Sequence, residues 1–523
     1  MSSPDTFPPS AVPEETRTVQ RRLRCLPSRV GMYFVLALAL FPSIAYLRVW
    51  DKLSAGLHGH ARPSEKALRD VRRRLGPAPL KALFETMAVP LAQPTTPGVR
   101  YRRWRTVAFD GCSAVKVPDS ERNRAWLGKI QGRLGWAGYP LLRLVTLCET
   151  GTRGLLGAAF GPISLGETGY ARQLLPLLSK EMLLLTDRGF DADEFLAEVA
   201  GTGAQLLFRV TARRRPAVLT VLADGSYLTL IGPLKIRIID AEITMTTSGG
   251  DQLCERYRLA TTLLGHRLDP ADALVRRYRE RWEIESAFYA LRHTMLDGAV
   301  LRSGYPSGLE QEVWAQLTLY QVLRMAVVDA VESRPGTDPD RASFSIARET
   351  ARDEIVLNAG RGPNPRDVLI GTALLTGLLP KRRARTSART VKARRTRYPT
   401  RSGEPGSSAT THITNLAVTL HPAPLSPPAP AHDAPQDGRR ASRGPGPVGA
   451  GYRNRVLHFM SPAPDRAWTP MEVATALHVR NTHSFATQMG QWVTDGLLRK
   501  IGRGKYVLAD TWRSTPLTVS TIA

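Results

Sequence analysis

Three carboxylates in this 523-residue chain are spaced so that they could share one chemical task. Asp110 closes the short β-like run Arg105–Gly111 (RTVAFDG), and Asp187 follows the apolar strand Met182–Leu185 in EMLLLTDRGF. In an α/β sheet, side chains at strand C-termini project into the crevice where such proteins place their sites. A single Asp after a strand more often only starts a turn; two, joined by a third acid from a helix, weigh against that. Glu285 is the third. With Tyr278 as origin and about 100° per residue, Arg281, Glu285 and Arg292 fall at roughly 300°, 340° and 320°, one arc of about 60°. Glu280 and Glu283 fall near roughly 200° and 140°, off that face, while Ile284, Phe288, Leu291 and Met295 form an adjacent apolar stripe. The helix alone also admits a plainer reading, an exposed face of i,i+4 pairs such as Arg281 with Glu285. Gathered carboxylates are hard oxygen donors suited to Mg²⁺, and a pair of such ions can drive in-line displacement at phosphate.

Positioning these acids takes several elements. PLLRLVTLCET and LLGAAFGPI read as strands, Asp191–Ala200 as a helix and Gln205–Val210 as a further strand. Strands alternating with a helix and ending in a long helix indicate an α/β mixed sheet. Residues 211–266 are nearly all β-like, with a hairpin turn at Asp224-Gly225, and read as an inserted β subdomain. A long helix follows over Pro270–Met295 and a second over Gly308–Val331.

The rest of the chain narrows the partner. A formal net charge of +26 points to a polyanion, nucleic acid before others. Cys25, Cys112, Cys148 and Cys254 lie far apart, which suits a reducing compartment and no zinc knuckle. The apolar run Gly31–Leu47 is interrupted by Pro42 and reads as a buried helix pair, not a membrane span. Residues 1–28 read as disordered, 29–96 as a helical, DNA-binding region ending in a Pro-rich linker, and 97–375 as the catalytic domain. Lys381–Arg401, ten Lys or Arg without an acid, dominates a flexible basic arm over 376–402. Residues 403–451 read as disordered linker. No Walker-type loop appears, so no ATP dependence is expected.

Residues 452–512 form a compact last unit. Thr469-Pro470-Met471-Glu472 has the form of a capping box that starts a short helix. A second helix spans about Thr482–Gly496, and LLRKIGRGKYVLA reads as a hairpin with Gly502-Arg503-Gly504 at its tip. The order resembles a winged helix-turn-helix, whose wing residues Arg499, Lys500, Arg503 and Lys505 would touch DNA backbone.

Tyr278, Arg281, Glu285 and Arg292 resemble the Y-x2-R-x3-E-x6-K signature of transposases of the insertion-sequence-four family, with Arg292 in place of the final Lys. FDG at Phe109–Gly111 and TDRGFDADEF resemble that family's first and second catalytic Asp segments. The likeness covers roughly residues 27–400 and includes VLRSGYPSGLEQEVWAQLTLYQVLRMA and SFSIARETARDEIV. It implies an RNase H-like mixed sheet with helices and an inserted β subdomain, an N-terminal helical domain, and a DDE enzyme that cleaves transposon ends and transfers strands into target DNA. Asp110, Asp187 and Glu285 would hold two Mg²⁺ or Mn²⁺ ions, Asp110 bridging them. Tyr278, Arg281 and Arg292 would contact the DNA, Tyr278 by ordering a phosphate, stacking on a base, or merely packing. Double-stranded DNA, a homodimeric synapse and a bacterial cytoplasmic, nucleoid-associated setting are implied with it, and no membrane. The other readings are a catalytically silent, transposase-derived DNA-binding regulator using the C-terminal module, and a nuclease without strand joining.

Overall fold

The computed structural model describes residues 26–379, excepting 58–60, 133–134, 212–213, 248–249, 251 and 360–368; short pieces between 385 and 401; 411–423; and, with interruptions, 456–509. Residues 1–25, most of the basic arm and Arg503 lie outside them. The chain divides into two units, 1–429 and 430–523.

Unit one opens with helices α1 (Ser28–Leu40), α2 (Tyr46–Leu53), α3 (Glu65–Leu75) and α4 (Ala78–Met87). The apolar run is indeed divided: α1 stops before Pro42, and α2 restarts after Ala45. Among the described residues no helix is long and apolar enough to cross a membrane. Ser64 caps α3 by accepting from the Ala67 amide at 3.2 Å.

The sheet and its flanking elements follow: β1 (Trp104–Lys116), α5 (Glu121–Leu127), the small strands β2 (Gln131–Gly132) and β3 (Gly135–Trp136), β4 (Leu141–Glu149), β5 (Leu155–Pro162), α6 (Glu167–Arg172), β6 (Met182–Thr186), α7 (Asp193–Gly201) and β7 (Gln205–Arg209). The inserted strands are β8 (Thr220–Val221), β9 (Tyr227–Ile231), β10 (Leu234–Thr247) and β11 (Gln252–Thr261). Then come α8 (Ala271–Tyr278), α9 (Trp282–Tyr289), α10 (Pro306–Glu332), α11 (Phe344–Leu357), α12 (Leu369–Thr376) and β12 (Thr411–His421). The main sheet runs β12-β10-β11-β7-β6-β1-β4-β5. Only β1–β6 and β6–β7 pair in parallel along this path; the remaining neighbours are antiparallel.

Alternation along the strands gives the sheet two apolar faces. Val107, Phe109, Leu184, Leu206 and Phe208 meet Tyr170, Phe195, Leu196 and Val199 of α6 and α7. Ala108, Leu183, Leu185 and Leu207 face the other side, with Tyr278, Phe288, Leu291 and the long buried helix α10. This is a mixed α/β sheet covered by helices on both faces.

Three differences from the sequence reading have physical causes. The N-terminal helices form no separate domain: Met32, Val35, Leu80 and Phe84 share one core with α10 and the sheet. The Pro-rich stretch 90–97 is strapped down, because the amides of Leu91 and Ala92 donate to the fully buried Glu149 carboxylate at 3.3 and 3.1 Å. Part of the expected disordered linker is a strand, β12, whose backbone pairs with β10 from Asp240–His421 to Thr247–Ile413. The open edge of β10 supplies its backbone partners, and Val418 and Leu420 pack against the core.

Unit two contains α13 (Pro470–Ala476), α14 (Thr482–Thr494) and the antiparallel pair β13 (Leu498–Gly502) and β14 (Lys505–Leu508). The capping box is present: the Thr469 amide donates to Glu472 Oε2 at 2.7 Å, and the Glu472 amide donates to Thr469 Oγ1 at 3.3 Å. Phe485, Met489 and Trp492 are buried with Trp468 and Tyr506.

Arg72 keys the N-terminal helices to α10. Its guanidinium, 3% exposed, donates to Glu312 at 2.9 Å and to Gln311 and Ser303 at 3.0 Å, and also reaches Tyr46. Burial alone would lower its pKa, but the Glu312 carboxylate and Tyr46 outweigh that and hold it above its usual value. Removing one member of a buried pair strands the other charge. Arg72→Ala is therefore expected to destabilise unit one by about 3–5 kcal/mol in urea unfolding; a loss below about 1 kcal/mol would show that the pair does not key the helices.

Candidate active site

Backbone register brings the first two acids together. β1 and β6 pair from Arg105–Met182 to Ala108–Leu185. The pairing ends there, and Asp187 follows the last residue of β6 as the cap of a 3₁₀ turn; carried on by two residues, the same register would bring Asp110 level with Asp187. Both would then share the parity of Ala108 and Leu185, and so the face crossed by α8 and α9. The intervening aromatic residues lock this placement from the opposite face. Phe109 precedes the first acid, Phe190 follows the second, and their rings stack at 6.1 Å with Phe195 against both.

Glycine stands one residue after Asp110 and two after Asp187. The Gly189 amide donates to Asp187 Oδ1 at 2.7 Å, and a Cβ on Gly189 would stand 2.9 Å from that oxygen. The Gly111 amide donates to Asp110 Oδ1 at 2.8 Å, while a Cβ there would come within 2.6 Å of the Glu167 side chain. A side chain at position 111 would displace Glu167, and one at 189 would crowd the Asp187 carboxylate.

The helix carrying the third acid is not one regular cylinder. α8 ends at Tyr278, a 3₁₀ turn occupies Arg279–Arg281, α9 follows, and a π turn spans Ala290–Met295. Angles drawn for an ideal α-helix therefore shift across residues 279–281 and again after 289. The expected apolar stripe survives, with Phe288, Leu291 and Met295 buried. α9 packs on β1, which places the Glu285 backbone over the strand bearing Asp110. Its side chain lies outside the described residues.

Of the three alternatives for Tyr278, the structure shows the packed one. It is 3% exposed and its hydroxyl donates to the Thr186 carbonyl at 3.2 Å, one residue before Asp187. Packing is the role the structure shows. Burial, opposed by the Arg281 charge and aided by that of Asp187, pushes its pKa up to about 12. Arg281 is also buried, its guanidinium 6.0 Å from the Tyr278 ring centre. Arg292 is half-buried in the π turn. Among the described residues no group of three His, Cys, Asp or Glu could hold a metal ion.

Beyond Asp187 the structure adds residues that sequence reasoning passed over. A groove begins at Arg188 and is lined by Arg209, Arg256, Tyr257, Arg258 and His421. The Arg209 guanidinium lies 4.4 Å over the Tyr257 ring, and Tyr257 meets Tyr278 edge-on at 6.2 Å. Burial, then the hydrogen bond to Glu255 at 2.7 Å, raises the Tyr257 pKa. Arg258 is held by Asp240 through bonds of 2.7 and 2.9 Å. Alternation of Arg with Glu or Tyr on β11 was the available signal, but only pairing with β10 and β12 makes it one wall. In unit two, Arg499, Lys500 and Lys505 are exposed.

The family described as insertion element 4 transposase N-terminal matches residues 5–85, and the transposase DDE domain matches 106–322, a span holding Asp110, Asp187 and Glu285. The chain is similar to the transposase InsG for insertion sequence element IS4 of Escherichia coli strain K12, at 26% identity over 402 residues, 74% of this chain and 90% of that protein. A cryo-EM structure of the piggyBac transposase synaptic complex with hairpin DNA aligns over 71% of this chain and 82% of its own, at 9% identity and a TM-score of 0.37.

Burial likewise lifts Tyr101 and Tyr320 to about 12. A phenol raised above its unfolded value of about 10 adds stability that is whole below that value and lost as pH climbs through the folded one. Melting temperature should hold to about pH 9 and fall between about 10 and 12. Tyr278→Phe should flatten that fall; an unchanged alkaline slope would show that the Tyr278 hydroxyl is not shielded as described.

Proposed function

Because the chain belongs to the insertion element 4 family of DDE transposases, we propose that it cleaves transposon DNA ends and joins them to target DNA, with Asp110, Asp187 and Glu285 as its catalytic acids. The supporting observation is the parallel register from Arg105–Met182 to Ala108–Leu185, which runs toward Asp110 and Asp187, together with the packing of α9 on the strand that bears Asp110. The strand order β5-β4-β1-β6-β7, antiparallel through β1 and parallel after it, supports an RNase H-like assignment.

The donor set fits divalent cations: two carboxylates on one face at adjoining strand positions, hard oxygens with a third acid on the facing helix. Asp110, Asp187 and Glu285 would hold Mg²⁺ or Mn²⁺, which when bound supplies Lewis-acid stabilisation of the phosphate oxygens and an activated water. The protein's own part is placement. Gly111 and Gly189 amides orient the two Asp carboxylates. Tyr278 ties the helix to the end of β6 through the Thr186 carbonyl, acting as a positioning residue. Arg281, beside that ring, and Arg292 supply positive charge toward the phosphates near the scissile bond. Arg188, exposed next to Asp187, extends the same charge into the groove.

Unit two we assign as a winged helix-turn-helix that binds duplex DNA. α14 carries no acid, and its exposed Thr487, Gln491 and Thr494 suit a groove-facing helix beside Arg499, Lys500, Arg503 and Lys505 of the wing. A homodimeric synapse follows from the same reading, since two ends must be held together.

Duplexes bearing the inverted repeats that flank the coding region provide the test. With Mg²⁺ the wild type should cut and join them, and Asp187→Ala or Glu285→Ala should each cost at least about 10²-fold. Salt-sensitive binding without any cutting by the wild type would instead favour the silent regulator, and cutting without joining a nuclease. Arg499→Ala with Lys500→Ala should lower the slope of log affinity against log salt by about two; an unchanged slope would remove the wing from the DNA interface.

A further inference from the structure

We propose that His293 donates a hydrogen bond to a DNA phosphate near the cut, carried onto the helix face of Glu285 by the π turn, an inference that rests on the transposase reading. α9 is regular from Trp282 to Tyr289, and the π turn spans Ala290–Met295. Had the α-helix run on at about 100° per residue, Arg292 would lie about 20° from the Glu285 direction and His293 about 80° from it. A π turn winds more slowly, at about 4.4 residues per turn or roughly 82° per residue. Over its first four residues this sets the chain back by roughly 70°. His293 then comes within about 10° of Glu285, and Arg292 moves to about 75° on the other side. The two neighbours exchange places.

Burial agrees with the exchange. Ala290, Leu291 and Met295 are buried and Arg292 is half-buried, whereas His293 is exposed. The π turn packs against α10 and α11, so Tyr289 and His293 share the side that those helices leave open. Tyr289 is 65% exposed, and its ring centre lies 4.8 Å from that of His293 at an interplanar angle of 32°. One face of the phenol thus backs the imidazole and limits its rotation. Among the described residues neither ring nitrogen of His293 has a hydrogen-bond or ion-pair partner.

An imidazole keeps at least one N–H donor in either protonation state, which suits a non-bridging phosphate oxygen. The neighbouring charges favour that acceptor. Arg292 adjoins His293, and the next acid along the chain, Asp297, is engaged by Arg348 at 3.5 Å, as is Glu349 of α11 at 2.6 Å. His293 stands eight residues beyond Glu285, at most about 12 Å along the helix at about 1.5 Å per residue. DNA lying on the acids advances about 3.4 Å per nucleotide, which puts the contact within about four nucleotides of the scissile phosphate.

The test measures binding of the full-length chain, without divalent metal, to the flanking-repeat duplexes. Single phosphates within about four nucleotides of the cleaved end, on either strand, are replaced by neutral methylphosphonates. His293→Ala should bind the unmodified duplex about 3- to 30-fold more weakly. At one position the replacement that weakens wild type should cost this variant nothing further, the sign of a shared contact. His293→Phe keeps the ring contact with Tyr289 without a donor and should behave like His293→Ala, while His293→Gln retains most of the affinity. Arg292→Ala should also weaken binding but leave the cost at that position as in wild type. His293→Ala and His293→Phe proteins with wild-type affinity, or with wild-type cost at every position, overturn the proposal. So does a position whose cost disappears with Arg292→Ala instead, which would put Arg292 in line with Glu285. If the wild type binds none of the duplexes, the transposase reading fails together with it; if it binds and only the His293 effects are missing, the His293 contact alone fails.

Discussion

Four successive backbone partnerships, Arg105 with Met182 through Ala108 with Leu185, set the register of the two strands that lead to Asp110 and Asp187, the acids of the proposed site. Parallel strands in register point matching residues to the same face, so the acids two positions further on would share a side of the sheet. A slip of one residue would send one carboxylate to the opposite face, among Phe109, Phe190 and Phe195. The aromatic cluster makes that slip costly, since the rings flanking both acids already fill the core there.

The helices above the sheet extend the same constraint. Tyr278 hydrogen-bonds the last residue of β6, and the irregular turn after it carries the chain across β1. α10 is buried over most of its length, and Arg72 ties the N-terminal helices to it. Beyond α4, the amides of Leu91 and Ala92 donate to Glu149 of β4. The N-terminal helices thereby share one core with α10 and the sheet.

The inserted strands add a second wall. β10 and β11 continue the sheet past β7, and β12 returns from beyond the basic arm to pair with β10. That return brings His421 beside Arg256 and Arg258, residues far from it in the chain, in a groove that opens next to Asp187. The acids and the cations of this face are paired with one another, Arg258 with Asp240 and Arg209 with Glu255, which fixes the guanidinium groups in place.

Local pattern was enough to read much of this protein. The strand ends at Asp110 and Asp187, the division of the apolar run at Pro42, the Asp224-Gly225 turn, the Thr469–Glu472 capping box and the stripe of Phe288, Leu291 and Met295 all rest on short-range rules of spacing and backbone preference. What lies beyond those rules is pairing across long stretches of sequence. Whether Tyr278 faces solvent or the Thr186 carbonyl depends on how a helix settles on a strand, and its residue type permits both. The 411–421 segment looks like linker because its partners lie on β10, and Arg72 looks like one more basic residue because Glu312 waits some 240 positions away. Whether Arg292 or His293 lies in line with Glu285 depends on the π turn, which their spacing does not reveal. Composition and spacing thus determined the chemistry available, while the tertiary structure decided which groups are turned toward it, because burial and strand register are set only when distant segments meet.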